Sequence, residues 1–312
     1  MNKENKKNNN FKSGFIGFLG RTNVGKSSIL NKLLDDKVSI VTPKKQTTRK
    51  QIKGILTTDE YQLVFLDTPG IHKGRYKLNK VMNETAYLSN MDVDLVIFVV
   101  EPKITDQDIN IINKIKSDEK LNNKPIILLI NKIDKYKFGK DKGRDLKLIE
   151  DYSNLYDFKS IIPVSAENEH NIDQIIPEIL KNLKNGPMFF SKDEYTDQTE
   201  REIVEEVVRE KALKLLREEI PHGIFVEVQK MKLRQTSKGE DIYDVEILIN
   251  CVKDSHKGII IGKDGEMLKR IISYAREDLE EMLDIKLNMD VWVKVNKDWL
   301  NDEKIVKRFK SE

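Results

Sequence analysis

Eight consecutive residues, Gly20-Arg21-Thr22-Asn23-Val24-Gly25-Lys26-Ser27, place two glycines, a lysine and a hydroxyl at the spacing GxxxxGK[ST], with Ser28 following. The chemistry of such a stretch is phosphate binding. Its glycines let the backbone turn N–H groups, and the N-terminus of the next helix, toward anionic oxygens. Lys26 would then reach β- and γ-phosphoryl oxygens while Ser27 ligates magnesium. Farther along, Asp67-Thr68-Pro69-Gly70 offers a carboxylate that can hold the magnesium through water, and a Gly70 amide that can sense a γ-phosphate. The DxxG pattern alone carries no weight; its position after a strand pattern does.

Asn131-Lys132-Ile133-Asp134 has a more specific chemistry. An acceptor-only carboxylate at Asp134 matches the paired donors of guanine N1 and N2, which adenine lacks. Ser165-Ala166 can supply a backbone N–H to guanine O6. Between the phosphate loop and Asp67 lies TPKKQTTRK, where Thr48 would join the magnesium in the triphosphate state and leave it after hydrolysis; the alternative is an ordinary solvated loop. The expected ligands are therefore GTP or GDP with Mg2+ on Ser27, Thr48 and Asp67, and Lys26, Thr48 and Gly70 are the candidate catalytic residues.

Positioning these groups requires strands that end at them. Apolar runs predict strands at Gly14–Leu19, Gln51–Leu56, Gln62–Leu66, Asp94–Val100, Pro125–Ile130 and Ser160–Val164. DLVIFVV and PIILLI lack alternation, as strands buried on both faces of a parallel sheet do. Amphipathic helices are expected near Lys26–Leu34, Tyr76–Ser89, Thr105–Lys116, Asp141–Leu155 and Ile172–Leu183. The alternation predicts an α/β fold with a mostly parallel, doubly wound sheet, whose strand ends carry the candidate site. The polar MNKENKKNNN reads as a disordered tail, giving residues 1–12 as tail, 13–186 as the nucleotide domain and 187–200 as a linker.

Residues 201–312 read as a second, α+β domain. A charged helix at Thr199–Glu219, ended by Pro221, precedes two alternating strands, a helix pair around Gly262-Lys263-Asp264-Gly265 and a last strand, MDVWVKV. A GxxG turn between helices lets a sugar-phosphate backbone approach the main chain. Gly262 and Gly265 would make that approach, Lys263 would contact phosphate, and Ile260 and Ile261 would line the base groove. Asp264 puts a negative charge in the same loop. Trp292 and Trp299 are assigned to packing, and Cys251 to a buried spectator role.

With GRTNVGKS, QTTR, DTPGIHK, NKID and VSA in order, then EEIPHG, IIIGKDG and WVKVNKDW, the chain resembles the Era family of GTPases, and its second domain resembles a type II KH domain. The resemblance spans nearly everything after the tail. It implies a GTP-hydrolysing switch that binds the 3′ end of small-subunit (16S) ribosomal RNA and serves maturation of the small ribosomal subunit. Ile272 stands where family members commonly have glycine. Ile71 follows Gly70 where Ras-like enzymes place a water-orienting glutamine, so intrinsic hydrolysis is expected to be slow. Resemblance to potassium-activated relatives makes Asn23 a candidate K+ ligand; the other reading is that Asn23 only supports the loop by local hydrogen bonds. His72 reads as a solvated switch residue rather than a base, and Lys44 and Lys45 as loop charges.

Composition agrees with these expectations and narrows them. Residues 1–200 carry 33 basic and 28 acidic groups and residues 201–312 carry 22 and 24, so overall charge does not advertise RNA binding by the second domain. One cysteine and four scattered histidines leave no disulfide framework or zinc cluster, and a reducing cytoplasm is expected. No apolar run approaches the roughly 18 residues that would span a bilayer. An alternative function is a nucleotide-switched protein acting through protein partners in the cell cycle or at the membrane, with peripheral inner-membrane association. The missing lipidation motif argues against a permanent anchor. No heptad pattern demands a dimer, so a monomer is expected.

Overall fold

Two uninterrupted apolar strands set the centre of the larger sheet: β4 (Leu95–Val100) and β5 (Ile126–Ile130), every residue of which is buried. The computed structural model describes residues 10–35, 37–42, 47–71, 76–136, 138, 141–217 and 220–309. Lys44, Lys45, His72 and most of the expected tail lie outside them. Around the two central strands stand β1 (Lys12–Leu19), β2 (Ile52–Thr57), β3 (Tyr61–Asp67) and β6 (Ser160–Pro163), in the order β2-β3-β1-β4-β5-β6. Only β2 runs antiparallel to its neighbour.

Helices α1 (Lys26–Leu34), α2 (Lys77–Met91), α3 (Asp106–Ser117), the short α4 (Glu119–Asn122), α5 (Lys142–Leu155) and α6 (Ile175–Asn182) alternate with those strands. Each face of the sheet has its own apolar cluster, one around Ile16, Phe18 and Phe65, the other around Phe98, Ile112 and Tyr152. That arrangement is why β4 needs apolar residues at every position. Strand β1 begins two residues earlier than the apolar pattern suggests, because Lys12 and Ser13 pair with Tyr61 and Gln62. The Gly186 N–H donates to the Phe11 carbonyl at 3.0 Å, bringing the end of this unit back to its start.

The second unit starts with α7 (Glu200–Leu215), whose N-terminus is closed by a reciprocal capping box between Thr199 and Glu202. It ends earlier than Pro221 would dictate. Leu216 is extended (φ −82°, ψ 155°) and buries its side chain in the second core, so packing stops the helix before the proline does. Then follow β7 (Ile224–Gln235), β8 (Asp241–Cys251), α8 (Asp254–Ile261), α9 (Glu266–Leu283), β9 (Lys286–Val295) and α10 (Glu303–Lys307). The sheet order is β7-β8-β9, with β8 and β9 parallel.

The two tryptophans part company here. Trp299 is fully buried and donates Nε1 to the Gly223 carbonyl at 3.0 Å, whereas Trp292 on β9 is 52% exposed, correcting the expectation that both pack. Trp299 belongs to a cluster in which Leu78 and Met82 of α2 meet Phe225, Val306 and Phe309 of the second unit.

Candidate functional site

The turn between β1 and α1 is shaped by its glycines. Gly25 has φ 102°, and a Cβ there would sit 2.2 Å from Asn131 Nδ2. No side chain caps the N-terminus of α1, so its first N–H groups face the loop. Lys26 is nearly buried, its Nζ donating to the carbonyls of Gly20 (3.3 Å) and Arg21 (3.1 Å). Burial pulls its pKa down to about 8, the Asp67 charge opposing and the Arg21 charge adding to the fall. An ammonium held against carbonyl dipoles in a dry loop is ready to exchange them for an anionic ligand.

Asp67, at the end of β3, collects hydroxyls. Its Oδ2 accepts from Ser27 (2.6 Å), Ser39 (2.7 Å) and Thr48 (3.2 Å), and Ser27 and Thr48 Oγ atoms lie 2.9 Å apart. Its Oδ1 is buried with no hydrogen-bond partner. Burial raises the Asp67 pKa, against the Lys26 charge and the three hydroxyls. One carboxylate, several hydroxyl oxygens and an orphaned acceptor fit magnesium, which uses one or two carboxylates and completes its shell with water and phosphate oxygens. Ser39 was not among the expected residues; Asn31 holds it by bonding both its backbone N–H (2.9 Å) and its carbonyl (2.7 Å).

Opposite the phosphate turn, Asp134 Oδ1 accepts from Ser165 Oγ at 2.6 Å. Asn131 ties three segments together: Nδ2 donates to the Val24 carbonyl (2.8 Å) and Oδ1 accepts from the Ala166 N–H (3.1 Å). The Ala166 amide expected at guanine O6 is thus engaged by Asn131 in this structure. Thr22, Asn23, Gly25, Lys26, Ser27, Ser28, Thr48, Gly70, Asn131, Lys132, Asp134 and Ala166 line a single cavity of about 630 Å³. Gly70 packs against the loop so closely that a Cβ would fall 2.6 Å from Thr22 Cα. Next to it, the Ile71 N–H donates to the Gly20 carbonyl at 3.1 Å.

Two acidic residues that the motifs do not contain hold this arrangement. Asp108, fully buried at the start of α3, caps the helix with Thr105 and accepts from Arg21 Nε at 2.8 Å. Glu101 accepts from Lys132 Nζ at 2.7 Å and stands 3.8 Å from Arg21 Nη2, while Lys132 also donates to the Asn23 carbonyl. Asn23 and Lys132 both adopt φ 64°, so the two loops meet in left-handed conformations. The sequence signal for Asp108 is the pattern TDQD, a capping box that by itself marks only a helix start.

The second candidate site differs in kind. Gly262 (φ 75°) and Gly265 (φ 78°) bracket an exposed turn between α8 and α9, with Asp264 at φ 51°. Aspartate is among the few residues that tolerate the left-handed region, which accounts for its presence there. Lys263 is exposed beside it. Ile260 faces the other way: it is fully buried in the second core, so its side chain packs rather than lining a groove, and the exposed neighbour is Ile259. Ile261 is half-buried, and Ile272 packs partly buried against the same core.

The chain matches the model of a 50S ribosome-binding GTPase over residues 15–132 and that of a KH domain over residues 219–300. It is 46% identical over 301 residues to the GTPase Era of Clostridium novyi, covering 95% of this chain and 98% of that protein. Clostridium kluyveri GTPase Era is 44% identical over 298 residues, covering 95% and 98%. Among solved structures, a variant of Era from Aquifex aeolicus bound to GDP and aluminium fluoride superposes with a TM-score of 0.88 at 35% identity, over 96% of this chain and 99% of that one. An Era complex with MgGDPNP and nucleotides 1506–1542 of 16S ribosomal RNA superposes equally, with TM-score 0.88, 35% identity and coverage of 96% and 98%.

Proposed function

The chain belongs to the Era family of GTPases, and on that premise we propose that it is a GTP-driven switch that binds the 3′ end of small-subunit ribosomal RNA through its KH domain and assists maturation of that subunit. One observation carries the nucleotide half of this reading: segments far apart in sequence, around Lys26, Thr48, Gly70, Asp134 and Ala166, line one cavity at the strand ends. Residues 13–186 form the GTPase domain, 187–200 the linker and 201–312 the RNA-binding domain.

In this reading Asp134 selects guanine by accepting from N1 and N2, Asn131 and Ser165 hold the loops around the base, and Ala166 turns its amide to O6 once Asn131 yields it. Lys26 leaves the loop carbonyls for phosphoryl oxygens, joined by the N-terminus of α1. Ser27, Thr48 and Asp67 hold magnesium, which when bound neutralises charge on the phosphoryl oxygens. The Gly70 amide marks the γ-phosphate position. Ile71 carries no group that can orient water, which supports slow intrinsic turnover. Asn23 is assigned to a potassium ion, a role tested by comparing turnover in potassium and in sodium; equal rates would remove it. In the KH domain, the turn Gly262-Lys263-Asp264-Gly265 takes the RNA backbone, with Ile259 and Ile261 beside it.

The nucleotide half is tested by Lys26→Ala in the full chain. Single-turnover GTP hydrolysis should fall by about 10²–10³, and hydrolysis at the wild-type rate would refute the assigned site.

A further inference from the structure

The segment that carries Thr48 is fastened to the second unit on both sides. The Thr47 carbonyl accepts a hydrogen bond from Arg209 Nη2 of α7. Arg209 is buried, and Glu206, one turn earlier on the same helix, grips its guanidinium through bonds of 3.1 Å and 2.7 Å. On the other side, Arg49 is buried to 1% exposure, donates Nη1 to the Ile224 carbonyl at 2.6 Å and lies 5.3 Å from the centroid of the Trp299 ring. Lys50 follows with an ion pair to Glu202 at 2.9 Å. Between these anchors, Thr48 Oγ1 bonds Asp67 Oδ2.

This is not how a solvated loop is built. Two guanidiniums are dehydrated side by side with Glu206 as the carboxylate beside them, an arrangement that opposes docking unless hydrogen bonds to acceptors offset the lost hydration. The Thr47 and Ile224 carbonyls and Glu206 accept from other guanidinium nitrogens, while Arg49 Nε and Arg209 Nη1 are buried without a hydrogen bond. Breaking any one contact leaves a buried charge short of a partner, so the segment is held as a unit. Burial and the neighbouring Arg209 charge pull the Arg49 pKa to about 9, Glu206 opposing, so it stays protonated at neutral pH.

We propose that Arg209, oriented by Glu206, is a positioning residue for GTP hydrolysis: from the KH side it fixes the backbone that presents Thr48 to the magnesium and γ-phosphate positions. The inference rests on the reading of Thr48 given above. It makes the second domain a structural part of the hydrolytic site. A diphosphate lacks the group that Thr48 would answer, so loss of the clamp should separate GTP from GDP.

The test compares full-length wild type with Arg209→Ala, Glu206→Gln and Thr48→Ala. Single-turnover hydrolysis is measured beside the affinities for fluorescent GDP and a non-hydrolysable GTP analogue. Arg209→Ala should hydrolyse GTP about tenfold more slowly and bind the analogue about tenfold more weakly, with GDP affinity within about twofold of wild type. Glu206→Gln, which keeps the guanidinium but loosens it, should fall between. Parallel weakening of GDP and analogue in Arg209→Ala and Glu206→Gln would reveal a merely structural role and overturn the proposal, as would unchanged or faster hydrolysis in Arg209→Ala. If Thr48→Ala is impaired while Arg209→Ala is not, the clamp alone is wrong. If Thr48→Ala also turns over normally, the reading of the switch threonine falls with it.

Discussion

In the proposed reading, the nucleotide cavity and the GxxG turn recognise phosphate by opposite means. In the cavity the candidate side chains are buried: Lys26 and Asp67 are both withdrawn from water, and Asn131 is braced by Val24 and Ala166. The turn between α8 and α9 is exposed main chain, with Lys263 and Asp264 offering opposite charges at its tip. A buried, mutually braced site loses nearly everything when one group is wrong. An exposed turn loses affinity in small, salt-sensitive steps.

That contrast sets the sizes of the effects to look for. The largest belongs to Asp134→Asn. Replacing an acceptor pair by an amide with a donor should turn preference from guanine to xanthine, whose C2 carbonyl accepts, and shift the GDP-to-XDP affinity ratio by about 10⁴. Competition titration with both diphosphates checks this, and an unchanged ratio would remove Asp134 from the base contact.

Gly265→Ala comes next. Nothing lies within 4 Å of a Cβ at this position, so the fold should lose only about 1 kcal/mol from the left-handed backbone. RNA affinity should still drop about tenfold, because the methyl stands where a sugar-phosphate chain must approach. Chemical denaturation and RNA titration, measured on the same preparation, separate the two effects, and GDP affinity should not move. An RNA affinity equal to wild type would argue that the turn is not the contact. The smallest effect is expected from Asp264→Asn, which keeps a residue suited to φ 51° and removes the opposing charge. Tighter RNA binding by about two- to fivefold, fading as salt rises, is the expected outcome; weaker binding would mean the carboxylate itself contacts RNA.

The same contrast explains what could be read from the sequence. The motifs proposed to bind phosphate and base are legible because their chemistry lies in residue type at fixed spacing, and apolar runs such as DLVIFVV place them at strand ends. The turn was legible only through the order of elements around it. Residues that act across elements are not legible: in sequence Asp108 is one polar residue at the start of α3, Glu101 follows a strand, and Arg209 is one charge among many on α7. Their partners lie from 31 to 162 positions away, and no local period reports that. Trp292 was readable and misjudged, since it alternates with Val291 and Val293 and so lies on the opposite face of β9, away from the core those valines join. Ile260 was misjudged for the converse reason: in a helix beside the turn, only one face of the run Ile259-Ile260-Ile261 can be buried.

Coupling between the cavity and the turn is the central claim, and reciprocal titration tests it most directly. Full-length protein is titrated with an oligonucleotide ending in the small-subunit rRNA 3′ sequence and with a scrambled control, in the presence of GDP or of a non-hydrolysable GTP analogue. In parallel, analogue affinity is measured with and without saturating RNA. The account predicts selective RNA binding that differs between the two nucleotide states, and the same factor in the reverse experiment, as linkage requires. Equal RNA affinity in both states, with both nucleotides bound, would contradict it.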